Sequence, residues 1–359
     1  MSKTFLVTTP LYPAGRTMDL GDCYTAVYGD AIARYRRSFG QEVTALTGTN
    51  EQGLQPGGSA RLRAAWTELD LGYSSFVSTA GPDHETCLLE LFQRIERSRF
   101  VSKAQFSGAF CPLCETSSNT GTCSDCGGPV QSFTDHCYVF RLFDFQEKLI
   151  GFYQDNPDFV LPRTRMNEVV SQVRAGLQNI CISRPSGSSG IRIPGKDNQA
   201  FTAWFSGLAG YLTGSGFPNA AENARVWPAD VQLIGKQALR IHAIYWPALL
   251  MAASLEPPLH IVCHGTWEPD LQSAYLAGRQ SVPQAEITAV LPADYIKYFL
   301  LREMPFGSDA SFAYEAVLDR VNGDLATEFM NLTSRVLKMI ENYSENMVPE
   351  PGDLEAADE

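Results

Sequence analysis

The chain opens on a short apolar run. Residues 4–9 (TFLVTT) are β-branched and hydrophobic, the pattern of a strand buried on both faces. A Pro/Gly loop follows at 13–15. From 21 to 39, Tyr24, Val27, Ile32 and Tyr35 fall near helical spacing. Residues 42–47 (EVTALT) read as a second strand, closed by Gly48. Strand, helix and strand in fifty residues make a βαβ unit, which predicts an α/β fold built on a doubly wound parallel sheet. Periodicity fades over 100–140, where Cys, Gly, Ser and Thr dominate, so this stretch reads as an insertion. Further on, 231–235 (VQLIG) and 259–263 (LHIVC) are strand-like, 236–253 reads as one long helix, and 312–343 as amphipathic helix. The acidic tail 346–359, rich in Pro and Gly, is expected to be disordered.

Composition narrows the function classes. The net charge is −12 over 359 residues, and the nearest thing to a basic stripe is Arg34, Arg36 and Arg37 on one helix turn. Phosphate contacts dominate nucleic-acid affinity, so this charge argues against tight RNA binding. No window approaches the roughly twenty apolar residues that span a bilayer, and the first ten residues lack a signal-peptide core. These features point to a cytoplasmic protein without a membrane partner. With nine cysteines and no secretory signal, metal binding is favoured over disulfides.

Four of those cysteines, Cys111, Cys114, Cys123 and Cys126, form C-x2-C-x8-C-x2-C. Two closely spaced thiolate pairs suit tetrahedral zinc, and four thiolates leave no open coordination position, so the zinc is expected to be structural. His136 and Cys137 nearby read as packing residues, and Cys181 and Cys263 as small buried hydrophobes.

Several segments together resemble the class I methionyl-tRNA synthetase family. They are TTPLY at 8–12, TGTNEQG at 47–53, the cysteine knuckle leading into HCYVFRLFDF, and AWFSGLAGYL at 203–212. The most specific is LIGKQALRIHAIYWPALLMAA at 233–253, followed by HG at 264–265; YFLLREMPFGSDASF at 298–312 completes the set. The resemblance implies a Rossmann-like catalytic domain of the HUP type in two halves, 1–100 and 141–310. Between them it places a zinc-bearing connective insertion at 101–140. Stem-contact helices follow at 311–345, with no anticodon-reading bundle after them.

The resemblance also exposes departures. Where the family carries His-Ile-Gly-His against the ATP phosphates, this chain reads Asp19-Leu20-Gly21-Asp22. Carboxylates accept hydrogen bonds and cannot donate them to phosphate; read without the family, the two aspartates are helix caps. The family's Lys-Met-Ser-Lys-Ser loop has no counterpart, because no lysine lies between His260 and Lys297. Asn50, Ser206 and Gln237 stand at family aspartate positions. Candidate catalytic residues are therefore Asp19, Asp22, Asn50, Gln237 and Arg184, the last matching an arginine near the family's activation site. Leu11, Tyr12, Trp204, Leu208, Tyr211, His242 and Tyr245 fall on positions that line or back the family's methionine pocket, an apolar cavity with a few polar tips.

These departures lead to the expectation of a synthetase-like protein that has lost ATP-dependent tRNA charging. ATP should bind poorly and tRNA is not an expected partner. The chain would be rebuilt for small-molecule, natural-product biosynthesis on an amino-acid-like ligand, with a partner enzyme of that pathway. The alternatives are a non-catalytic sensor of a methionine-like ligand, an aminoacyl-tRNA-dependent transferase, and a residual methionine–tRNA ligase.

Overall fold

The computed structural model describes residues 3–15, 17–51, 58–110, 117–118, 121–122, 129–185, 190–196, 198–270, 281–348, 350 and 352. The proposed zinc ligands Cys111, Cys114, Cys123 and Cys126 lie outside these residues, as do 271–280 and most of the tail.

Strand β1 (Phe5–Pro13) runs through the middle of the molecule. Its neighbours are β2 (Val43–Asn50), β3 (Ser75–Ser78), β6 (Val160–Leu161), β9 (Val231–Gly235) and β10 (His260–His264). They form one six-stranded sheet in the order β3-β2-β1-β9-β10-β6, and every pairing is parallel. The predicted doubly wound sheet is thus present. Alternation along β1 sends its side chains to two different cores. Val7 packs with Ala33, Val43, Ala45 and Leu233 beneath helix α1 (Leu20–Ser38). Leu6 packs on the opposite face with Leu46, Ile234 and Ile261. That second face is covered by α3 (Pro82–Arg97), α4 (Ala203–Gly214) and α5 (Trp246–Ala252). Helix α2 (Gly58–Glu68) joins the α1 side through Leu62 and Trp66.

Two close backbone approaches hold this layering. A Cβ at Gly48 would stand 2.1 Å from the Val77 carbonyl oxygen of β3, and one at Gly214 of α4 would stand 2.0 Å from Leu46 Cδ1. The β1–β2 register slips between Thr8 and Leu11, and such an irregularity bends a strand. It lies where β1 parts from β9 while staying paired with β2.

Several expected elements differ. Residues 236–253 are not one α-helix: Lys236–Ala238 is a 3₁₀ turn, Ile241–Tyr245 a π-helix, and α5 begins at Trp246. Pro247 has no N–H to give Ala243, and its ring would crowd that carbonyl, so the backbone widens one turn earlier. The insertion is not merely a loop. Strands β4 (Val101–Phe110) and β5 (Gln131–Phe140) pair along their full length, from Val101↔Phe140 to Phe110↔Gln131. Polar residues such as Ser102, Lys103 and Gln105 hid this ribbon's alternation. Ser183–Pro185 (β7) and Gln199–Phe201 (β8) form a separate antiparallel pair. At the C-terminal end a short strand, Ala310–Phe312, pairs with Trp267–Pro269. Helix follows from Tyr314 to Tyr343, interrupted by a π stretch at Val321–Phe329 that contains Gly323. Among the described residues no helix is long and apolar enough to cross a membrane.

Candidate active site at the sheet switch point

In an open parallel sheet, ligands bind beyond the C-terminal ends of the strands where the winding direction reverses. Here that point lies between β1 and β9. A cleft of about 330 Å³ opens there, lined by Leu11, Tyr12 and Pro13 at the end of β1. Asp19, Gly21, Asp22 and Thr25 of α1 form a second wall, with Gly235, Gln237, His264, Gly265 and Trp267 opposite.

Helix α1 starts at this cleft because Asp19 stops the extended chain. Its backbone is extended (φ −110°, ψ 179°), and its carboxylate accepts the Asp22 amide at 3.0 Å. Asp22 reciprocates by accepting the Asp19 amide, also at 3.0 Å. This capping box uses helix-terminal donors that would otherwise face an anion. Asp19 and Asp22 are therefore caps and cleft walls at once. Two carboxyl groups thus stand at this end of the cleft.

His264 closes the opposite wall. Its ring meets Tyr24 edge-on at 4.8 Å. Nδ1 lies 2.7 Å from the Gly265 carbonyl and Nε2 lies 2.6 Å from Thr25 Oγ1. Burial pushes the imidazole down to about 4, so it is neutral at pH 7. A carbonyl can only accept, so Nδ1 carries the proton and Nε2 is left to accept; Thr25 Oγ1, also 2.9 Å from the Gly21 carbonyl, has one proton to divide between that carbonyl and Nε2. Gly265 is pinned by its surroundings: a Cβ there would stand 1.9 Å from the Ser308 carbonyl oxygen. We expect Gly265→Ala to displace the 265–267 turn and cost more than about 2 kcal/mol, measured by denaturant melts. A melt within experimental error of wild type would refute the close approach.

The next residues form a clamp. Asp309 accepts from Thr266 N at 2.7 Å, from Thr266 Oγ1 at 2.9 Å, and from Lys236 Nζ at 2.7 Å. Lys236 first, and the Thr266 amide second, hold the Asp309 carboxyl down at about 2. Sequence reading singled out none of Thr25, His264 and Asp309 as site residues. The HG pair and the GSDASF stretch were the available signal, since both stood among the family segments.

The remaining candidates sit around the cleft with different roles. Gln237 lines it. Asn50, at the end of β2, donates to the Ala203 carbonyl at 2.9 Å and accepts from Thr79 at 3.2 Å; it fastens the start of α4 to the sheet. Ser206 is fully buried 2.8 Å from Nε2 of His84, whose Nδ1 lies 2.9 Å from Thr213 Oγ1. Thr213 gives its own proton to Ala209 O at 3.2 Å, so His84 donates from Nδ1 and Ser206 donates to Nε2. An ionised aspartate at 206 could not make that bond to a neutral ring in this tautomer. Arg184 lies on β7, paired with Ala200 of β8, and is not among the residues lining the cleft.

Of the seven predicted pocket residues, Leu11 and Tyr12 line the cleft. Leu11 presses on α4, where a Cβ on Gly210 would stand 2.2 Å from Leu11 Cδ2. Tyr12 also packs edge-on against Trp66 at 5.4 Å. Behind Leu11, Trp204 and Tyr245 lie 5.6 Å apart and are half-buried. Leu208, Tyr211 and His242 are buried. Tyr211 donates to His242 Nε2 at 2.8 Å, while His242 Nδ1 donates to Ala238 O at 3.0 Å. The tyrosine and histidine tips thus satisfy each other within an apolar wall. Trp246 behind them is fully buried core.

A family model described as tRNA synthetases class I (M) matches residues 5–133 and 119–337. A methionine–tRNA ligase of Caldanaerobacter subterraneus subsp. tengcongensis is 35% identical over 100% of this chain and 60% of its own length. The corresponding ligase of Mycobacterium bovis is 35% identical over 99% of this chain and 74% of its own. Among solved structures, Mycobacterium tuberculosis methionyl-tRNA synthetase bound by methionyl-adenylate superposes with a TM-score of 0.88 at 34% identity. That match covers 99% of this chain and 75% of the synthetase chain. The chain spans about 60% of the length of the first curated relatives it matches.

These matches overturn the expectation of a scaffold rebuilt for small-molecule biosynthesis. Relatives named methionine–tRNA ligase align with essentially the whole chain, the altered segments included. They favour the alternative of a residual ligase.

Proposed function

The chain belongs to the class I tRNA synthetases (M), and we propose that it is a methionine–tRNA ligase with weakened phosphate handling. The observation that carries this reading is the superposition, over 99% of the chain, on a synthetase holding methionyl-adenylate. In this reading the methionine side chain rests against Leu11, Trp204 and Tyr245, backed by the Tyr211–His242 pair. The adenylate occupies the cleft between Asp19–Asp22 and His264–Trp267. The methionine carboxylate attacks the α-phosphate and pyrophosphate leaves; the tRNA terminal hydroxyl then takes the aminoacyl group and releases AMP.

The weakness lies at the phosphates. A carboxylate about 4 Å from a phosphate charge costs roughly 4 kcal/mol at an effective dielectric near 20. Losing one well-placed transition-state donor costs about 10²–10³ in rate. Methionine-dependent exchange of pyrophosphate into ATP should therefore occur, two to three orders of magnitude below that of the ligase relatives, with a raised KM for ATP. Exchange indistinguishable from a blank lacking methionine would sink the reading.

The zinc assignment belongs with this proposal. Ribbon β4–β5 brings residues 110 and 131 into register, and an isolated bridge pairs Thr122 with Pro129. In sequence, Cys111, Cys114, Cys123 and Cys126 all fall between residues 110 and 131. Four thiolates there suit one closed, structural zinc. Elemental analysis should find one zinc per chain in wild type and less than a tenth of that in Cys111→Ser/Cys114→Ser. A metal-free wild-type protein would refute the site.

A further inference from the structure

Two thiols that the ligase reading leaves unused face each other across the edge of the insertion. Cys137 lies on β5 and is buried; Cys181, in the adjoining segment Ile180–Cys181, is half-buried. The antiparallel register pairs Val139 with Cys181 and Phe140 with Ile180. Since side chains alternate along a strand, Cys137, Val139 and Cys181 share one face. The two sulfurs stand 2.7 Å apart, between the roughly 2.05 Å of a disulfide bond and the separation at which unbonded sulfurs rest. None of the four knuckle cysteines is involved.

We propose that Cys137 and Cys181 are a disulfide-forming pair, a modification site that takes a low-molecular-weight organic disulfide as its oxidant. Cys181 is the entry point because it alone of the two is reachable from solvent. Its thiolate attacks one sulfur of the oxidant, forming a mixed disulfide and expelling one thiolate, which takes up the proton Cys181 gave off. The Cys137 thiolate then attacks Cys181 Sγ and expels the second thiol of the oxidant. The net change is two protein thiols plus one disulfide giving one protein disulfide plus two small thiols. The second step is intramolecular and fast, because the sulfurs are already in contact. The first is slow, since hydrogen bonding of the protonated Cys181 thiol to Cys137, and then burial, hold Cys181 protonated.

The bond would join two cysteines 44 positions apart in the chain. It ties the knuckle-bearing ribbon to the strand that leads into β7 and Arg184. Such a cross-link chiefly restricts the unfolded chain, so the oxidised form should melt several degrees higher.

The full chain, equilibrated at pH 8.5 with mixtures of reduced and oxidised glutathione, is quenched by alkylation and mapped by peptide mass. Cys137 and Cys181 should lose alkylation together in a single two-electron transition, joined in one cross-linked peptide pair. In Cys137→Ser, Cys181 should stop at the glutathione adduct; in Cys181→Ser, Cys137 should stay alkylatable. Two thiols that remain alkylatable in wholly oxidised buffer would overturn the proposal. A wild-type Cys181 that accumulates as the glutathione adduct without cross-linking would overturn it equally.

Discussion

Lowering the pH from 7 to 5 is expected to remove roughly 6 kcal/mol of folding stability through three histidines. His84, His242 and His264 are each pushed by burial from 6.5 to about 4. Each is neutral and fully bonded in the fold: His84 between Ser206 and Thr213, His242 between Tyr211 and Ala238 O, His264 between Thr25 and Gly265 O. The sign follows from proton uptake. Below pH 6.5 the unfolded chain binds protons that the folded chain refuses until about pH 4. Stability from these groups is complete above 6.5 and drains away as pH falls toward 4. At pH 5 each contributes about 2 kcal/mol less than at neutrality. Against a total of roughly 5–15 kcal/mol, three such losses bring the chain close to unfolding. Urea melts between pH 4.5 and 8 measure the effect. His242→Gln should flatten the profile by about a third while lowering stability at pH 7. A urea midpoint at pH 5 within about 0.2 M of that at pH 7 would mean the rings are not held neutral.

Replacing Asp19 and Asp22 by histidine should raise methionine-dependent pyrophosphate exchange at least 10-fold, toward 100-fold. The double change removes two carboxylates from the cleft entrance and puts ring N–H donors in their place, where transition-state charge makes a single donor worth about 10²–10³. It also dismantles the capping box, costing about 1 kcal/mol at each position. Rate and stability should therefore move in opposite directions. Asp19→Asn/Asp22→Asn separates charge from donation: asparagine keeps a capping oxygen and loses the charge, so its rate should fall between wild type and the histidine variant. Should neither variant exceed wild type, the acidic entrance is not what limits the reaction.

Charge removal and donor gain can be separated here because asparagine, unlike histidine, can still cap α1. The helix starts at residue 20 through any short polar cap. Sequence preference at that position therefore says nothing about phosphate. What the structure shows is that Asp19 and Asp22 cap the helix and line the cleft.

What the residues determined alone is most of the sheet, four of its six strands; Ser75–Ser78 and Val160–Leu161 were not read from sequence. Buried parallel strands announce themselves as short β-branched runs: 4–9, 42–47, 231–235 and 259–263 all lie on strands of it. The helix predicted over 21–39 runs from Leu20 to Ser38, because its cap and apolar spacing are local. Local chemistry failed where the deciding partner is distant. Ribbon β4–β5 is held by cross-strand pairing between residues up to 39 apart, from Val101 to Phe140, and its polar surface carries no apolar alternation to read. The break at 241–245 depends on Pro247 acting backwards on the preceding turn. The site divided in the same way. Leu11, Tyr12, Asp19, Asp22 and Gln237 were named from sequence and line one cleft. His264 became legible only when β10 brought it to Thr25, 239 residues away in the chain. The Asp309 clamp on Thr266 and Lys236 likewise joins three segments that no spacing rule connects. Pairing and burial create such sites, and both are properties of the packed chain rather than of any stretch within it.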